Sequence, residues 1–488
     1  MSIFKKNFLT IGMMAFLNLA FSQSQDETTS LSQKYSPEEL KLDLFQLRTV
    51  LENVHPGLYR FESKEVWDSR FDSLTSKLKD SMSHIDYYRI LTRLSAQVRC
   101  GHTSIGVSSE YNDKIFTGSK NFPFMVRVVE GKLYTYHNLS DNTSIPDGSE
   151  LLSINGRPAN EIVELFYDTV RADGYIETAR YRTLGKYFSY YYATLIGYPD
   201  SFQLRYVAPG SKKEKQAMAM AKKDMEKGSL HWERYDSKIA PSVLMKSPMA
   251  FLVNEKADYA ILKVDRFFTR GNEPKNLFEK TYDSLFTLIS KKNINNLIID
   301  LRNNGGGTDR LTSLLYSYLS EKPFKWNRRM RVKNLNYHGY TTDYSYNVYQ
   351  YAQDEVGDIW VTNGEELFMP HKVSSPSFRG RVVVLVNGLT FSAGSILASY
   401  IKSAGRGKIV GEESGGYSNG VTGGRTVSFK LKHTGIYFSI PPLQTFFELE
   451  SQDDNRGVFP DHPISPTISD IVSGRDLVLD FAIRSFRE

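Results

Sequence analysis

From Ala250 to the end of the chain, short apolar runs alternate with stretches of helical periodicity, and this alternation limits the fold more than any other feature. YAILKVDRF precedes a helical pattern through Leu277, Tyr282, Leu285 and Ile289. NNLIIDL precedes a helix expected from about Asp309, and RVVVLVNG one from about Ser392. Strands that take turns with helices build a parallel or mixed sheet with helices on its faces, so the fold class is α/β. The loops leaving such strands are where chemistry is expected. A hairpin around Thr434-Gly435 and a closing helix after Pro466 complete this unit.

Two other patterns precede it. Ser36-Pro37-Glu38-Glu39 combines an N-cap, a first-turn proline and a capping-box glutamate, and Leu40, Leu44, Leu47 and Leu51 then recur at helical spacing until His55-Pro56-Gly57. A second helix carries Trp67, Phe71, Leu74 and Leu78. A third, opened by Ser83 with Asp86 in its first turn, carries Tyr87, Ile90, Leu91, Leu94 and Val98 and ends at CGHT, residues 100–103. From Asn121 the period changes: PFMVRVVEGKLYTY reads as two strands, and IPDGSELLSINGRPANEIVELF as a strand, a turn at Asn155-Gly156 and a helix. The lysine-rich run from Ser211 to Lys227 reads as an exposed helix or linker.

A chain of 488 residues exceeds what one compact core spans, which implies two or three structural units. A hydrophobic fraction of 40% with 30 Tyr and 29 Phe excludes disordered and fibrous classes. The formal charge of +6 is spread over 61 basic and 55 acidic residues with no basic stripe interleaved with aromatics, which argues against a nucleic-acid partner. At the start, Lys5 and Lys6 precede an apolar stretch ending in Ala20, Phe21 and Ser22, the pattern of a secretory signal cleaved after Ser22. The expectation is export to the periplasm or outside the cell, without stable membrane insertion once the signal is removed, because the stretch is short for a span of about 20 residues. Cys100 is the only cysteine, so no internal disulfide can form.

Three segments carry chemistry. In LIIDLRNNGGGTDRL, Gly305, Gly306 and Gly307 follow an apolar strand and expose backbone N–H groups, as an oxyanion hole or anion nest requires; no Lys-Ser or Lys-Thr follows to make a phosphate loop. In VVVLVNGLTFSAGSILASYI, Ser392 stands where a strand turns into a helix, so that the free N–H groups and positive end of the helix dipole favour an oxyanion formed by its attack on a carbonyl. An N-cap role for Ser392 is the competing reading, and Ser395 is either a helper or a packing residue. Of nine histidines, His102 ends the helical unit in a glycine-flanked turn.

LIIDLRNNGGG, VLVNGLTFSAGSI with IVGEESGG, and DNRGVFPDHPI, in that order, resemble the tail-specific (C-terminal processing) serine peptidases, in particular the branch of the tricorn core and its retinol-binding relatives. The resemblance implies a ClpP/crotonase-like catalytic core over 250–488, an N-terminal helical unit over 23–105 carrying the histidine loop, and an inserted PDZ-like module over 118–210. Residues 1–22 then form the signal peptide and 211–249 a linker. It implies Ser392 as nucleophile, His102 as general base, and an oxyanion hole from Ala393 with Gly305 or Gly306. In the Ser/Lys branch a lysine follows the nucleophile by 25 residues, but here that residue is Tyr417. Lys402 stands about 15 Å along the helix and cannot replace it. The departure points to the Ser/His branch, where an acid near the N-x-G-V-x-P-D turn supports the machinery: Asp454 first, Glu450 second. Cys100 stands where relatives often have Asp.

The implied activity is hydrolysis of polypeptides near their C-termini through an acyl-enzyme, with no metal or cofactor and with polypeptides as partners. Two other functions suit the same resemblance: a non-catalytic carrier of apolar ligands, and an adaptor that binds peptides through the PDZ-like module.

Overall fold

The computed structural model describes residues 33–117, 120–222, 247–334, 351–354, 358–361, 368–424, 426–449 and 455–487. The expected signal segment, and both Glu450 and Asp454, lie outside the described residues. Helix Pro37–Val54 opens with the capping box read from the sequence: Ser36 Oγ accepts from Glu39 N, and the Glu39 carboxylate accepts from Ser36 N at 2.7 Å. Its Leu40, Leu44, Leu47 and Leu51 are buried against Trp67 and Phe71 of helix Lys64–Lys77 and against Tyr87, Leu91 and Leu94 of helix His84–Gln97. Val427, Phe429, Phe438 and Ile440 join the same core, so a hairpin from the far end of the chain is built into this helical unit.

Strands Phe124–Val129, Lys132–Asn138, Glu150–Ile154, Ser201–Val207 and Glu214–Met220 form an antiparallel sheet in that order. Phe122, Phe166, Phe188, Tyr192 and Phe202 fill its core. The turn at Asn155-Gly156 has both residues at positive φ, 49° and 80°. The structure corrects one expectation: part of the run 211–227 is not a helix or linker, because Glu214–Met220 pairs along its length with Ser201–Val207. Only Ala217 and Ala219 turn toward the core while Lys215, Gln216 and Met218 stay exposed. Two alanines interleaved with exposed methionines are a faint apolar alternation, and Glu214 and Lys215 are the charged side chains an edge strand carries.

The alternating segment forms a six-stranded sheet in the order Met249–Asn254, Tyr259–Val264, Asn296–Asp300, Arg381–Val386, Lys408–Gly411, His462–Pro463. The first pair is antiparallel and the other pairings are parallel. Helices Leu277–Lys291, Asp309–Ser317 and Ala393–Ser403 cover one face, as the sequence predicts. The expected closing helix is two, Ile468–Ser473 and Leu477–Arg484, separated at Gly474, whose φ of 69° ends the first. A second, antiparallel sheet places Val421–Gly423 beside Leu443–Phe447 and Asn327–Val332. Among the described residues no helix is long and apolar enough to cross a membrane.

Candidate active site

The triple-glycine loop, the Ser392 turn and the GEESGG loop all leave the carboxyl ends of adjacent parallel strands. Under the first loop lies a buried ion cluster. Arg302 binds Asp300 at 2.8 Å and Asp476 at 2.8 Å, and Lys263 reaches Asp300 at 3.3 Å. Asn303 and Asn387 then tie two loops together reciprocally: Asn303 N donates to Asn387 Oδ1 at 3.0 Å, and Asn387 Nδ2 to Asn303 Oδ1 at 2.8 Å. Thr390 is the hub of the turn. Its Oγ1 donates to Leu301 O, and its own carbonyl accepts from Ser395 Oγ and Gly415 N, each at 2.7 Å. Ser395 is therefore a buried bracing residue.

Ser392 has φ 54° and ψ −127°, and its side chain makes no capping bond. The N-cap role is excluded by that geometry. A non-glycine residue in this region costs about 1–3 kcal/mol and persists only when its surroundings hold it. Here they do so by close approach: a Cβ at Gly306 (φ 95°) would lie 2.7 Å from Ser392 Cβ, and one at Gly416 would lie 2.7 Å from Ser392 N. Such a strained strand-to-helix turn presents its hydroxyl outward.

His102 Nε2 lies 3.2 Å from Ser392 Oγ, across 290 residues of sequence. Three contacts bring it there. Strand Ser104–Gly106, just after it, pairs with Tyr437–Ile440 of the C-terminal hairpin; Gly101 N donates to Asp173 Oδ1 at 2.7 Å; and the imidazole packs on Phe391 with ring centroids 4.6 Å apart. Gly101 has no room for a side chain, since a Cβ there would meet the Phe391 ring at 2.6 Å. Burial, with a smaller push from the Arg171 charge, drives His102 down to about 3, so the ring is neutral at ordinary pH. Its Nδ1 is buried and has no hydrogen-bond partner among the described residues.

The oxyanion donors read from the sequence sort themselves by their bonds. Gly306 N donates to Asn304 Oδ1 at 2.7 Å, so this N–H is already engaged. The N–H groups of Gly305 and Ala393 bond to none of the described residues. Lys402 lies at the far end of its helix, bonded to Phe459 O and 3.6 Å from Asp461.

Residues 258–462 match the family model for peptidase family S41. Over these residues the chain is similar to that family. Its fold is similar to mature CPAF complexed with lactacystin, at 15% identity over 92% of this chain and 97% of that one, TM-score 0.63. It is also similar to mature CPAF, at 15% identity over 91% and 96%, TM-score 0.57. A putative peptidase from Parabacteroides merdae aligns at 14% identity over 93% and 98%, TM-score 0.47. A search of curated proteins finds no match to this sequence.

The S41 match supports serine peptidase activity, with polypeptides as the substrates it implies. The S41 segment's acids at GEESGG brace the site rather than face it. Glu412 is held bidentate by Arg182, at 2.8 and 2.6 Å, and Glu413 by Arg456, at 2.9 and 2.6 Å. One residue at this S41 site escaped the sequence reading. Asp173, 1% exposed, accepts from Gly101 N and, at 3.4 Å, from Tyr417 N, and burial raises it to about 7. Cys100 Sγ, a ring nitrogen of His102 and a carboxylate oxygen of Asp173 all lie within 4.8 Å of one another. The Cys100 thiol, pushed up to about 12 chiefly by burial, donates weakly to Thr422 O.

Proposed function

We propose that this chain is an exported endopeptidase that cuts polypeptides near their C-termini through an acyl-enzyme, with Ser392 as nucleophile and His102 as general base. The observation that carries this reading is the 3.2 Å approach of His102 Nε2 to Ser392 Oγ at the head of helix Ala393–Ser403. Neutral Nε2 accepts the hydroxyl proton as Oγ attacks the scissile carbonyl. The tetrahedral oxyanion is met by the N–H groups of Ala393 and Gly305, with Gly306 giving space rather than a donor. Collapse expels the leaving amine, which takes the proton back from Nε2, and water attacks the acyl-enzyme by the same route. The imidazolium formed midway gains from a nearby negative charge. Asp454, with Glu450 as alternative, is the acid expected to supply it from the segment just before Asn455.

The antiparallel unit serves in this reading as a PDZ-like module that holds the substrate's C-terminal end by strand addition, beside a ClpP/crotonase-like core. Strand Phe124–Val129 is closely covered by helix Glu177–Lys186, since a Cβ at Gly185 would meet Val126 O at 2.8 Å. Peptide addition at that edge requires this helix to shift.

Fluorophosphonate labelling with mapping of the modified residue tests the mechanism. The expected result is one label on Ser392, lost in Ser392→Ala and His102→Ala. Absence of label in the folded wild-type chain, with an unchanged peptide library by mass spectrometry, favours the carrier instead.

A further inference from the structure

The cluster beside the dyad has the composition of a metal site. Cys100 and Asp173 are 3% and 1% exposed, and the three donors offer sulfur, nitrogen and oxygen within one small space. Borderline-soft Zn²⁺ takes this mixture, at about 2.3 Å to sulfur and about 2.0–2.2 Å to nitrogen and oxygen. Donors around such an ion sit about 3.3–3.8 Å apart, so a contraction of about 1 Å from the 4.8 Å limit seats it. A second observation points to a ligand. Nε2 of His102 is occupied by Ser392, whereas Nδ1 is buried with no partner among the described residues. Outer support is in place, because Gly101 N and Tyr417 N hold the Asp173 carboxylate and Thr422 O faces the thiol.

We propose that Cys100, His102 and Asp173 bind a Zn²⁺-class cation that switches the peptidase off. As the metal–sulfur bond forms, the thiol proton leaves to solvent; any proton on Asp173 or on Nδ1 leaves likewise. With Nδ1 bound to the metal, the neutral ring must carry its proton on Nε2, which then donates to Ser392 Oγ and cannot accept from it. The base is lost without displacement of the hydroxyl. Arg60 and Arg171 act on Asp173 and His102 as positive charges, so both anionic ligands are needed to hold a dication. The site follows from the cluster alone, while the switching role rests on the Ser/His reading.

Cobalt(II) separates the two, because Cys100 is the only cysteine and any thiolate-to-cobalt charge-transfer band must come from it. Full-length Ser392→Ala, titrated with Co²⁺, is expected to show that near-ultraviolet band saturating at one equivalent and displaced by Zn²⁺. The band is expected to vanish in Ser392→Ala variants that also carry Cys100→Ser or Cys100→Ala and that melt within a few degrees of the parent. No band in folded Ser392→Ala overturns the site whatever the chain's activity. In the wild type, micromolar Zn²⁺ is expected to lower peptide cleavage at least tenfold, reversibly with chelator, and to leave Cys100→Ser active. A saturated cobalt site with undiminished cleavage overturns the switch. A wild type inactive without metal and with chelator contradicts the Ser/His reading instead, and the cobalt titration still decides the site.

Discussion

Gly423 fixes where His102 can stand: a Cβ at 423 would lie 3.0 Å from both Cε1 and Nε2 of the imidazole. Strand Val421–Gly423 belongs to the second sheet, so a residue outside every sequence motif forms the wall behind the proposed base. Gly423→Ala pushes the ring by a few tenths of an ångström or more, and small misplacements of a catalytic group cost up to about 10²-fold in rate. The expected outcome is a 10- to 100-fold drop in kcat with a thermal midpoint near that of the wild type. Steady-state kinetics beside a melting curve checks it, and unchanged kcat would show that the ring has room.

Ser392 stores strain that the reaction needs and folding does not. At φ 54° and ψ −127° the backbone favours glycine. Ser392→Gly is therefore expected to abolish fluorophosphonate labelling while raising stability by about 1 kcal/mol, read from denaturant midpoints. Ser392→Ala keeps the strain and is expected to match the wild type in stability, so the difference between the two variants isolates the backbone contribution.

What was legible in the sequence was local. The Ser36–Glu39 capping box, the helix after Ser392 and the turn at Asn155-Gly156 each declare themselves within a few residues, because the interactions that form them are themselves short in sequence. Asp173 gave no signal. Its partners are backbone N–H groups at 101 and 417, which no spacing encodes, and an acid in VRADGYI looks like any loop carboxylate. Tyr417, identified only as the residue that replaces a lysine, turns out to bond through its hydroxyl to Arg99 O at 2.7 Å, bracing the same histidine loop. Strand Glu214–Met220 was obscured for a different reason, since its inward residues are small alanines while Met218 and Met220 on the outward face are apolar, which blurs the alternation.

Asp173 is a positioning residue for His102 through Gly101. Asp173→Ala removes the acceptor for two buried N–H groups and frees the loop, with an expected 10- to 100-fold loss in kcat and KM within about twofold. Asp173→Asn keeps one carbonyl oxygen for Gly101 N and is expected to recover most of that loss. A merely structural role would lower the yield of folded protein and leave kcat per active site, counted by labelling, unchanged in both variants.

Arg302 anchors the triple-glycine loop from below. Its guanidinium is 5% exposed and shared between Asp300 and Asp476. Removing one partner of a buried network leaves uncompensated charge and costs about 3–5 kcal/mol. Arg302→Met is expected to lose that much in urea unfolding. Combining it with Asp476→Asn is expected to return part of it, since Asp476 is the carboxylate left without a cation, whereas Asp300 keeps Lys263.

Acid sensitivity follows from histidines that are neutral only when folded. His84 accepts from Ser108 N at Nε2 and donates from Nδ1 to Thr434 O, and burial lowers it to about 4. His55 accepts from Gly57 N, and burial, then the Lys333 charge, lowers it to about 3. Between those values and the ordinary 6.5 the unfolded chain binds protons that the folded chain refuses, so this contribution is complete above about 6.5 and is lost as pH falls toward 4 and then 3. Each group contributes up to about 1.4 kcal/mol per pH unit across its window. Carboxyls such as Asp309, half-buried and raised by desolvation to about 6, act with the opposite sign, so the difference between wild type and variant is the clean measure. His84→Gln, which offers an acceptor and a donor but no titration, is expected to lose less stability than the wild type between pH 6.5 and 4.5. Urea midpoints at those two pH values check it, and parallel losses would mean that His84 is protonated in the folded chain.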